Sequence, residues 1–313
     1  MIEIRHLYKA FDRQMVLRDL NMKIEDGAVY GFVGPNGAGK TTTMRIIAGL
    51  LKADSGQILI DGVDTGTKRK NMIGYMPDFF GVYDKLKVHE YMSFFSSIYG
   101  LDREDTRKRT DELLELVRLQ DRKENYVDTL SRGMKQRLCL ARCLIHDPKL
   151  LILDEPASGL DPRARFEFKE IIHQLWEKGH TILISSHILP ELSEMCTDIC
   201  IIDHGRCIMD GSVEEIEHHM LTAAPLVVKT LEKMPEAIQL LRQNPFVETL
   251  SYNESEIRAS FNGGREDEVM LLRQLMEADI PVYSFKRDNG NLETLFMQIT
   301  DAEVKRDAYE SRV

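Results

Sequence analysis

A glycine-rich stretch before residue 43 has the residue types and spacing of a phosphate-binding loop. It fits Gly-x-x-x-x-Gly-Lys-Thr and comprises Gly34, Pro35, Asn36, Gly37, Ala38, Gly39, Lys40, Thr41 and Thr42. Glycines let the backbone curl so that its N–H groups point at phosphate oxygens, and a following helix adds its positive N-terminal end. Lys40 would supply a cation for the β- and γ-phosphates, and Thr41 a hydroxyl for Mg²⁺. The stretch predicts a nucleotide site, since its position between a predicted strand and a predicted helix argues against a bare glycine turn.

Two carboxylates, Asp154 and Glu155, directly follow the apolar run Leu150–Leu153. Carboxylates at the end of a buried strand are costly unless a cation pairs with them, and Mg²⁺ is such a cation. We expect Asp154 to hold the metal and Glu155 to polarise a water molecule for attack on the γ-phosphate. The alternative is an acidic helix start before Pro156, which the phosphate loop upstream disfavours.

A histidine, His187, follows a second largely apolar run at 181–185, which ends in polar residues. From the carboxyl end of a parallel sheet it could reach the γ-phosphate, although a lone histidine is more often only a satisfied polar residue. The guanine-reading sequence Asn-Lys-x-Asp is absent, which favours adenine and therefore ATP.

The elements around these residues alternate between strand and helix. Residues 1–26 predict short strands, 29–33 and 181–185 predict buried strands, and 41–50 and 161–178 predict amphipathic helices. A closing hairpin is expected at 199–209, and 85–146 should be mostly helical. This alternation predicts an α/β fold with a parallel sheet covered by helices. Within 85–146, the aromatic helix at 91–99 would be either core or an exposed docking surface, and residue type alone favours core.

The composition changes near residue 220, where Ala223, Ala224 and Pro225 resemble a linker. The following order is β-α-β-β-α-β, ending in an amphipathic helix with Leu292, Leu295, Phe296 and Ile299. We predict a first domain at 1–220, a small α+β and ferredoxin-like domain at 225–300, and a charged tail at 301–313.

The bulk properties exclude several classes of protein. The net charge of −10 argues against a nucleic-acid binder, which normally has a basic face. Neither a secretory signal nor an apolar run of about 18 residues is present, so we expect a cytoplasmic chain. Five cysteines indicate reduced thiols. The pairs Cys139/Cys143 and Cys196/Cys200 could each share a helix face, but a metal site needs more ligands than that.

One further stretch carries a family resemblance. Residues 130–136 read Leu-Ser-Arg-Gly-Met-Lys-Gln, and they stand between the phosphate loop and the acid pair. Together these motifs resemble the ATP-binding subunits of ABC transporters, with Arg132 where glycine is usual. The resemblance covers residues 1 to about 220. It implies a P-loop cassette with an antiparallel β subdomain and a helical subdomain at about 85–146. The residues at 292–296 resemble the tail of ATPases that pair with separately encoded exporter permeases.

The resemblance also implies roles for individual residues. Phe11 would stack on adenine, and His187 would act as a switch histidine. Ser131 and Gly133 would bind the γ-phosphate of ATP held by a second subunit, identical or homologous, in a head-to-tail dimer. Asp161 closes a loop, beginning at Ser158, that would link the two sites.

Asp78 departs from the family pattern because it stands where glutamine is usual, which puts the usual metal contact in doubt. Its carboxylate could still face Mg²⁺, so we keep Asp78 as a candidate metal residue beside Thr41 and Asp154. The aromatics at 79–83 and 91–99 lie where the family receives a helix of a membrane permease, and this shifts our expectation for them towards docking. Residues 124–129 should lie close to the same partner. The chain would then be peripheral on the inner face of the cell membrane.

The sequence leaves three possible functions for this protein. The first is an ATPase subunit that powers a separately encoded permease, with ATP and Mg²⁺ as ligands. The second is a soluble ABC-type ATPase acting on the ribosome or DNA, which the single cassette and the acidic charge disfavour. The third is a nucleotide-binding module without hydrolysis, against which Glu155 and His187 argue.

Overall fold

Alternating apolar residues form an antiparallel sheet from the first 60 residues. In this computed structural model, which describes residues 1–12, 14–62, 64, 71–79, 81, 83, 85–216 and 225–287, the strands are β1 (Ile2–Phe11), β2 (Gln14–Ile24) and β4 (Ser55–Ile60). Their order is β2-β1-β4. Each strand turns its apolar side chains, such as Ile4 and Leu20, into one core.

A six-stranded sheet positions the chemistry-bearing residues. It consists of β3 (Val29–Val33), β5 (Ile73–Met76), β6 (Leu150–Leu153), β7 (Thr181–Ser186), β8 (Asp198–Asp203) and β9 (Arg206–Ser212). The order is β5-β6-β7-β3-β8-β9, and all neighbours are parallel except β8 and β9. The continuous apolar runs of β3 and β6 are fully buried, as expected for strands covered on both faces. Because the strands are parallel, the segments that follow β3, β5, β6 and β7 all leave at the same edge.

Six helices accompany these sheets in the described part of residues 1–213. They are α1 (Lys40–Ile47), α2 (Val88–Ile98), α3 (Arg103–Leu116), α4 (Arg132–Cys143), α5 (Pro162–Glu177) and α6 (Leu189–Ser193). Side-chain caps fix three of their starts, because Asp102, Ser131 and Asp161 accept hydrogen bonds from the first turns of α3, α4 and α5. Residues 85–146 are mostly helical, as the sequence predicts. None of the helices in the described ranges is long and apolar enough to cross a membrane.

The cysteine spacing gave one wrong expectation. Cys139 and Cys143 do lie on α4, but Cys200 belongs to β8 and Cys196 precedes that strand, so this second pair shares no helix face. A four-residue spacing aligns side chains only where the backbone is helical. Over the described residues, no group of three or more His, Cys, Asp or Glu side chains could hold a metal ion.

Residues 214–313 form a second compact unit. Its described elements are β10 (Leu226–Thr230), α7 (Met234–Gln243), β11 (Val247–Tyr252), β12 (Ile257–Phe261), α8 (Arg265–Glu277) and β13 (Val282–Arg287). The sheet order is β11-β12-β10-β13 with every neighbour antiparallel, which is the ferredoxin-like arrangement. Leu226, Ile257 and Leu271 belong to its core. The predicted boundary at 220, the linker residues Ala223 and Ala224, the helix at 292–299, the tail at 301–313, Phe80 and Val82 lie outside the described residues.

Candidate functional site

The glycine-rich loop follows β3, which lies between β7 and β8 in the sheet. A Cβ atom on Gly34 would lie 2.3 Å from the Ile202 carbonyl oxygen, so the backbones pass too closely for any side chain. Gly39 has φ of 111°, and a Cβ there would lie 2.6 Å from Leu17 Cδ2. Both positions therefore require glycine to give the loop this shape. The loop ends at the start of α1, whose first N–H groups have no capping side chain because Gly39 precedes them.

Lys40, in the first turn of α1, is almost fully buried at 6% exposure. Its Nζ donates to the carbonyl oxygens of Gly34 at 2.6 Å and of Pro35 at 3.2 Å. Burial lowers the pKa of Lys40, while the nearby Glu155 carboxylate opposes that shift. The ammonium group is thus held inside the loop, where a phosphate would be a stronger partner than the two carbonyls.

Asp154 follows β6 and is completely buried. Its Oδ1 accepts a hydrogen bond of 2.7 Å from Ser185 Oγ, whereas Oδ2 is buried without a partner among the described residues. Burial raises the pKa of Asp154 above the ordinary value of 3.8. A buried carboxylate oxygen with no donor is suited to a cation, and hard carboxylate and hydroxyl oxygens suit Mg²⁺. The residues present therefore fit Mg²⁺, with Asp154 and Thr41 as the side chains that would hold it.

Glu155 adopts a left-handed backbone with φ of 49°, and its N–H donates to Ser185 Oγ at 2.9 Å. Its Oε1 lies 3.6 Å from Lys40 Nζ, and its Oε2 lies 2.9 Å from His187 Nδ1. The strained backbone and these two side-chain partners fix the carboxylate at the edge of the sheet. A carboxylate held in this way can accept a proton from a water molecule beside it.

Apart from the buried Asp154, these side chains line one cleft of about 600 Å³, a volume typical of small-molecule sites. Its lining residues are Phe11, Gln14, Val16, Asn36, Gly37, Gly39, Lys40, Thr41, Thr42, Asp78, Glu155, Ser158 and His187. Most of the predicted site residues are thus brought together. Phe11 stands at the cleft with 45% of its surface exposed and Lys9 Nζ 5.3 Å from its ring centroid. Gly34, Pro35 and Ala38 shape the loop from outside the lining.

Ser185 is the main residue that the sequence did not single out. It is completely buried at the end of β7, and its one hydroxyl joins Asp154 and the Glu155 N–H. Gln14 and Val16 of the lining were also not predicted, whereas Ser158 was expected only as the start of a loop that links two sites. A polar residue at the end of the strand next to the acid pair was the available signal, but its use required the strand order.

Asp78 follows β5 and is exposed at the cleft. Its negative charge adds to the effect of burial in raising the pKa of Asp154. With Glu155, two carboxylates therefore line the cleft against the single ammonium of Lys40 in that lining, and the buried Asp154 directly precedes Glu155. This excess of negative charge is a further feature that favours a bound cation.

Three predicted site residues belong to the starts of α4 and α5 and do not line this cleft. Ser131 caps α4, where its Oγ accepts from the Met134 N–H at 3.3 Å. Asp161 caps α5 by accepting from the Ala164 N–H at 2.9 Å. Gly133 packs on α5, since a Cβ atom there would lie 2.9 Å from the Ala164 Cβ. The chain thus places the start of α4 outside its own cleft.

Arg132 connects the start of α4 to the loop at Ser158. Its Nη2 donates to the Ser158 carbonyl oxygen at 3.1 Å. The guanidinium also fills the space beside Gly159, where a Cβ atom would lie 2.7 Å from Arg132 Cζ. An arginine at this position therefore packs on a loop whose first residue lines the cleft.

The aromatic helix α2 is divided between core and surface. Tyr91 and Met92 are completely buried, as packing requires, whereas Phe94 and Tyr99 are more than 40% exposed. The Phe94 and Phe95 ring centroids lie 5.2 Å apart in an edge-to-face contact. Tyr91 and Met92 therefore meet the expectation of core packing, whereas docking by the exposed aromatic side chains stays a prediction.

Comparison with known proteins places the chain in a family. The ABC transporter family profile matches residues 17–158. Linearmycin resistance ATP-binding protein LnrL of Bacillus subtilis is 32% identical over 306 residues, covering 96% of this chain and 98% of that protein. Nod factor export ATP-binding protein I of Ralstonia nicotianae is 32% identical over 311 residues, covering 97% and 95%. A solved ATP-binding subunit of an ABC transporter is 31% identical with a TM-score of 0.63, covering 70% of this chain and 92% of that one.

The phosphate loop, the acid pair and the α/β fold agree with these similarities over nearly the whole chain. The chain therefore belongs to the ABC transporter family as an ATP-binding subunit that hydrolyses ATP.

Proposed function

We propose that this ATPase powers a separately encoded membrane permease through ATP-dependent pairing of two subunits. The observation that best supports this proposal is the position of Ser131 and Gly133, which lie at the start of α4 and outside the cleft of their own chain. A helix N-terminus attracts anions, so this one is suited to the γ-phosphate held by another subunit. A head-to-tail dimer, with itself or with a homologous subunit, completes both sites. ATP then joins the two chains, and hydrolysis releases them.

Within one cleft, Lys40 and the N–H groups of the loop bind the phosphates, and Phe11 stacks on adenine. Thr41 and Asp154 would hold Mg²⁺, which would supply positive charge to the phosphate oxygens. Glu155 accepts a proton from the attacking water, whose oxygen bonds to the γ-phosphorus as the bond to the β,γ-bridging oxygen breaks. The products are ADP and phosphate. His187 is held through Nδ1 by Glu155, and its other ring nitrogen, Nε2, would contact the γ-phosphate.

The permease contacts an exposed aromatic surface around α2. Phe79 is 83% exposed, and Tyr83, Phe94 and Tyr99 are also exposed. Exposed aromatic clusters of this kind mark interaction sites, and a helix of the permease is the partner we propose. Residues 124–129 lie beside it, because the Asn125 carbonyl accepts from the Val88 N–H at the start of α2. The chain is then peripheral at the inner face of the membrane. Similarity to the Nod factor export protein supports an exporter.

The test is the Glu155→Gln variant. We expect it to bind ATP normally, to lose turnover by at least about 100-fold because the proton acceptor is gone, and to elute as a dimer on gel filtration with ATP. Glu115→Gln, an exposed change on α3, is the matched control and should remain active. Normal turnover in the Glu155 variant would show that another group accepts the proton. A monomer with bound ATP would contradict the pairing, and copurification with ribosomes or DNA instead of a membrane protein would contradict the permease.

A further inference from the structure

The aromatic ring that stands at the ATP cleft is carried by an irregular end of β1. Phe11 is the last residue of that strand and is 45% exposed. The pairing of β1 with β2 shifts its register between Lys9 and Ala10, as it does at a β-bulge. Such an irregularity interrupts the ladder and changes the direction of the side chains beside it. The position of the Phe11 ring therefore depends on contacts outside the ladder.

Asp54, which directly precedes β4, supplies contacts of this kind to the backbone of β1. Its Oδ2 accepts the Ala10 N–H at 2.7 Å, and its own N–H donates to the Tyr8 carbonyl oxygen at 3.0 Å. These two bonds hold the chain on both sides of Lys9. The hydrogen bonds from the Lys9 ammonium and the Ala10 N–H lower the pKa of Asp54 below its ordinary value of 3.8, so the carboxylate is ionised at neutral pH.

Lys9 connects this carboxylate to the ring of Phe11. Its Nζ donates to Asp54 Oδ1 at 2.7 Å and lies 5.3 Å from the Phe11 ring centroid, which is within the range of a cation–π contact. Only 13% of the Lys9 side chain is exposed, and Lys9 does not line the ATP cleft, whereas Phe11 does. The ammonium group therefore lies against the ring from outside the cleft, and Asp54 holds it there.

We propose that Lys9 and Asp54 are positioning residues for the adenine base. Asp54 holds Lys9 and the backbone before Phe11, and Lys9 holds the ring so that the surface it turns to the cleft stacks on the base. The ammonium also offsets the negative charge that the face of an aromatic ring presents, which favours a second ring against it. This inference rests on the proposed stacking of adenine on Phe11, and it adds the side chains that orient the ring.

The test compares ADP with pyrophosphate, a probe that lacks the base, by calorimetry on the full chain with Mg²⁺. We expect Lys9→Met and Asp54→Ala to weaken ADP binding about three- to fivefold. Both variants should leave pyrophosphate binding unchanged, because the phosphate loop is untouched. Lys9→Arg keeps a cation that stacks on aromatic rings and should retain most of the ADP affinity. Lys52→Met, at an exposed lysine outside the cleft, is the matched control and should bind ADP normally.

Phe11→Ala separates a failure of the stacking from a failure of this inference. It should weaken ADP binding at least about tenfold, and the addition of Lys9→Met should cause no further loss, because Lys9 acts through the ring. An unchanged ADP affinity in Phe11→Ala would refute the stacking and this inference with it. If Phe11→Ala weakens ADP binding but Lys9→Met and Asp54→Ala do not, the stacking stands and the positioning role is wrong.

Two further results would overturn the positioning role. One is an equal loss of ADP and pyrophosphate binding in Lys9→Met and Asp54→Ala, which would indicate general damage to the site. The other is an additive loss in the variant that lacks both Phe11 and Lys9, which would mean that Lys9 meets the nucleotide directly. In steady-state ATP hydrolysis, we expect Lys9→Met and Asp54→Ala to raise KM by more than they lower kcat.

Discussion

Ser185→Ala perturbs both acidic residues of the ATP site through a single atom. The Ser185 hydroxyl donates to Asp154 Oδ1 at 2.7 Å and accepts from the Glu155 N–H at 2.9 Å. Alanine removes both bonds and leaves Asp154 with neither oxygen hydrogen-bonded to the protein, because Oδ2 already has no partner among the described residues. The change touches neither the phosphate loop nor the nucleotide directly.

The magnitude follows from the two bonds. A hydrogen bond to a buried charge contributes about 1.5–3 kcal/mol, and a neutral bond about 1 kcal/mol, so the free energy of unfolding should fall by about 2.5–4 kcal/mol. Asp154 would also lose its orientation towards the metal. Loss of such a supporting contact typically weakens metal binding about 10–100-fold, and we expect ATPase activity at limiting Mg²⁺ to fall within that range.

The stability loss should depend on pH in a defined direction. Burial raises the pKa of Asp154, and the Ser185 hydrogen bond opposes this, so the variant has a still higher pKa at Asp154. Because the pKa of Asp154 is higher in the folded than in the unfolded protein, ionised Asp154 lowers the free energy of unfolding. This destabilisation is fully present at a pH above the folded pKa, and it is lost as the pH falls through the folded pKa towards the ordinary value of 3.8. The difference between wild type and variant should therefore shrink at acid pH. Urea unfolding without Mg²⁺, at several pH values, measures it.

Ser186→Ala is the matched control. The Ser186 hydroxyl accepts from the Ile188 N–H and donates to Glu191, so it contacts neither acid. Its removal should lower the free energy of unfolding by about 1 kcal/mol, and this loss should not shrink at acid pH. If Ser185→Ala costs no more than Ser186→Ala and shows the same pH profile, Ser185 does not support the acid pair.

Three other variants test separate parts of the site. Ser131→Arg, introduced together with Glu155→Gln, should block the ATP-dependent dimer by filling the anion-binding start of α4; an undisturbed dimer on gel filtration would refute the shared site. Asp78→Gln removes a charge that raises the pKa of Asp154 and should change the Mg²⁺ dependence of hydrolysis; an unchanged Mg²⁺ titration would mean that Asp78 does not serve the metal. Arg132→Ala removes the hydrogen bond to the Ser158 carbonyl. It should slow turnover about three- to tenfold, which is the change in rate that corresponds to the free energy of one hydrogen bond. Wild-type turnover in that variant would assign Arg132 no positioning role.

Much of the site could be predicted because the residues that carry its chemistry are contiguous in the sequence. Gly34 to Thr42 form one loop, and Asp154 and Glu155 are adjacent, so spacing alone identified them. Strands and helices with clear periodicity were placed correctly as well. The cysteine expectation failed because a four-residue spacing indicates a shared face only after the backbone is known to be helical, and Cys200 lies in a strand.

The sequence by itself determined that this protein binds ATP phosphates, holds an acid pair after a buried strand, and carries the motif set of its family. Only the tertiary structure decided how those parts are supported. Ser185 and Asp154 are 31 residues apart in the chain, and they meet because β6 and β7 pair in parallel with Leu153 beside Ile184. Arg132 likewise reaches Ser158 across 26 residues of the chain. Local patterns fix residue types and faces, whereas strand register and helix pairing depend on the burial of distant apolar surfaces.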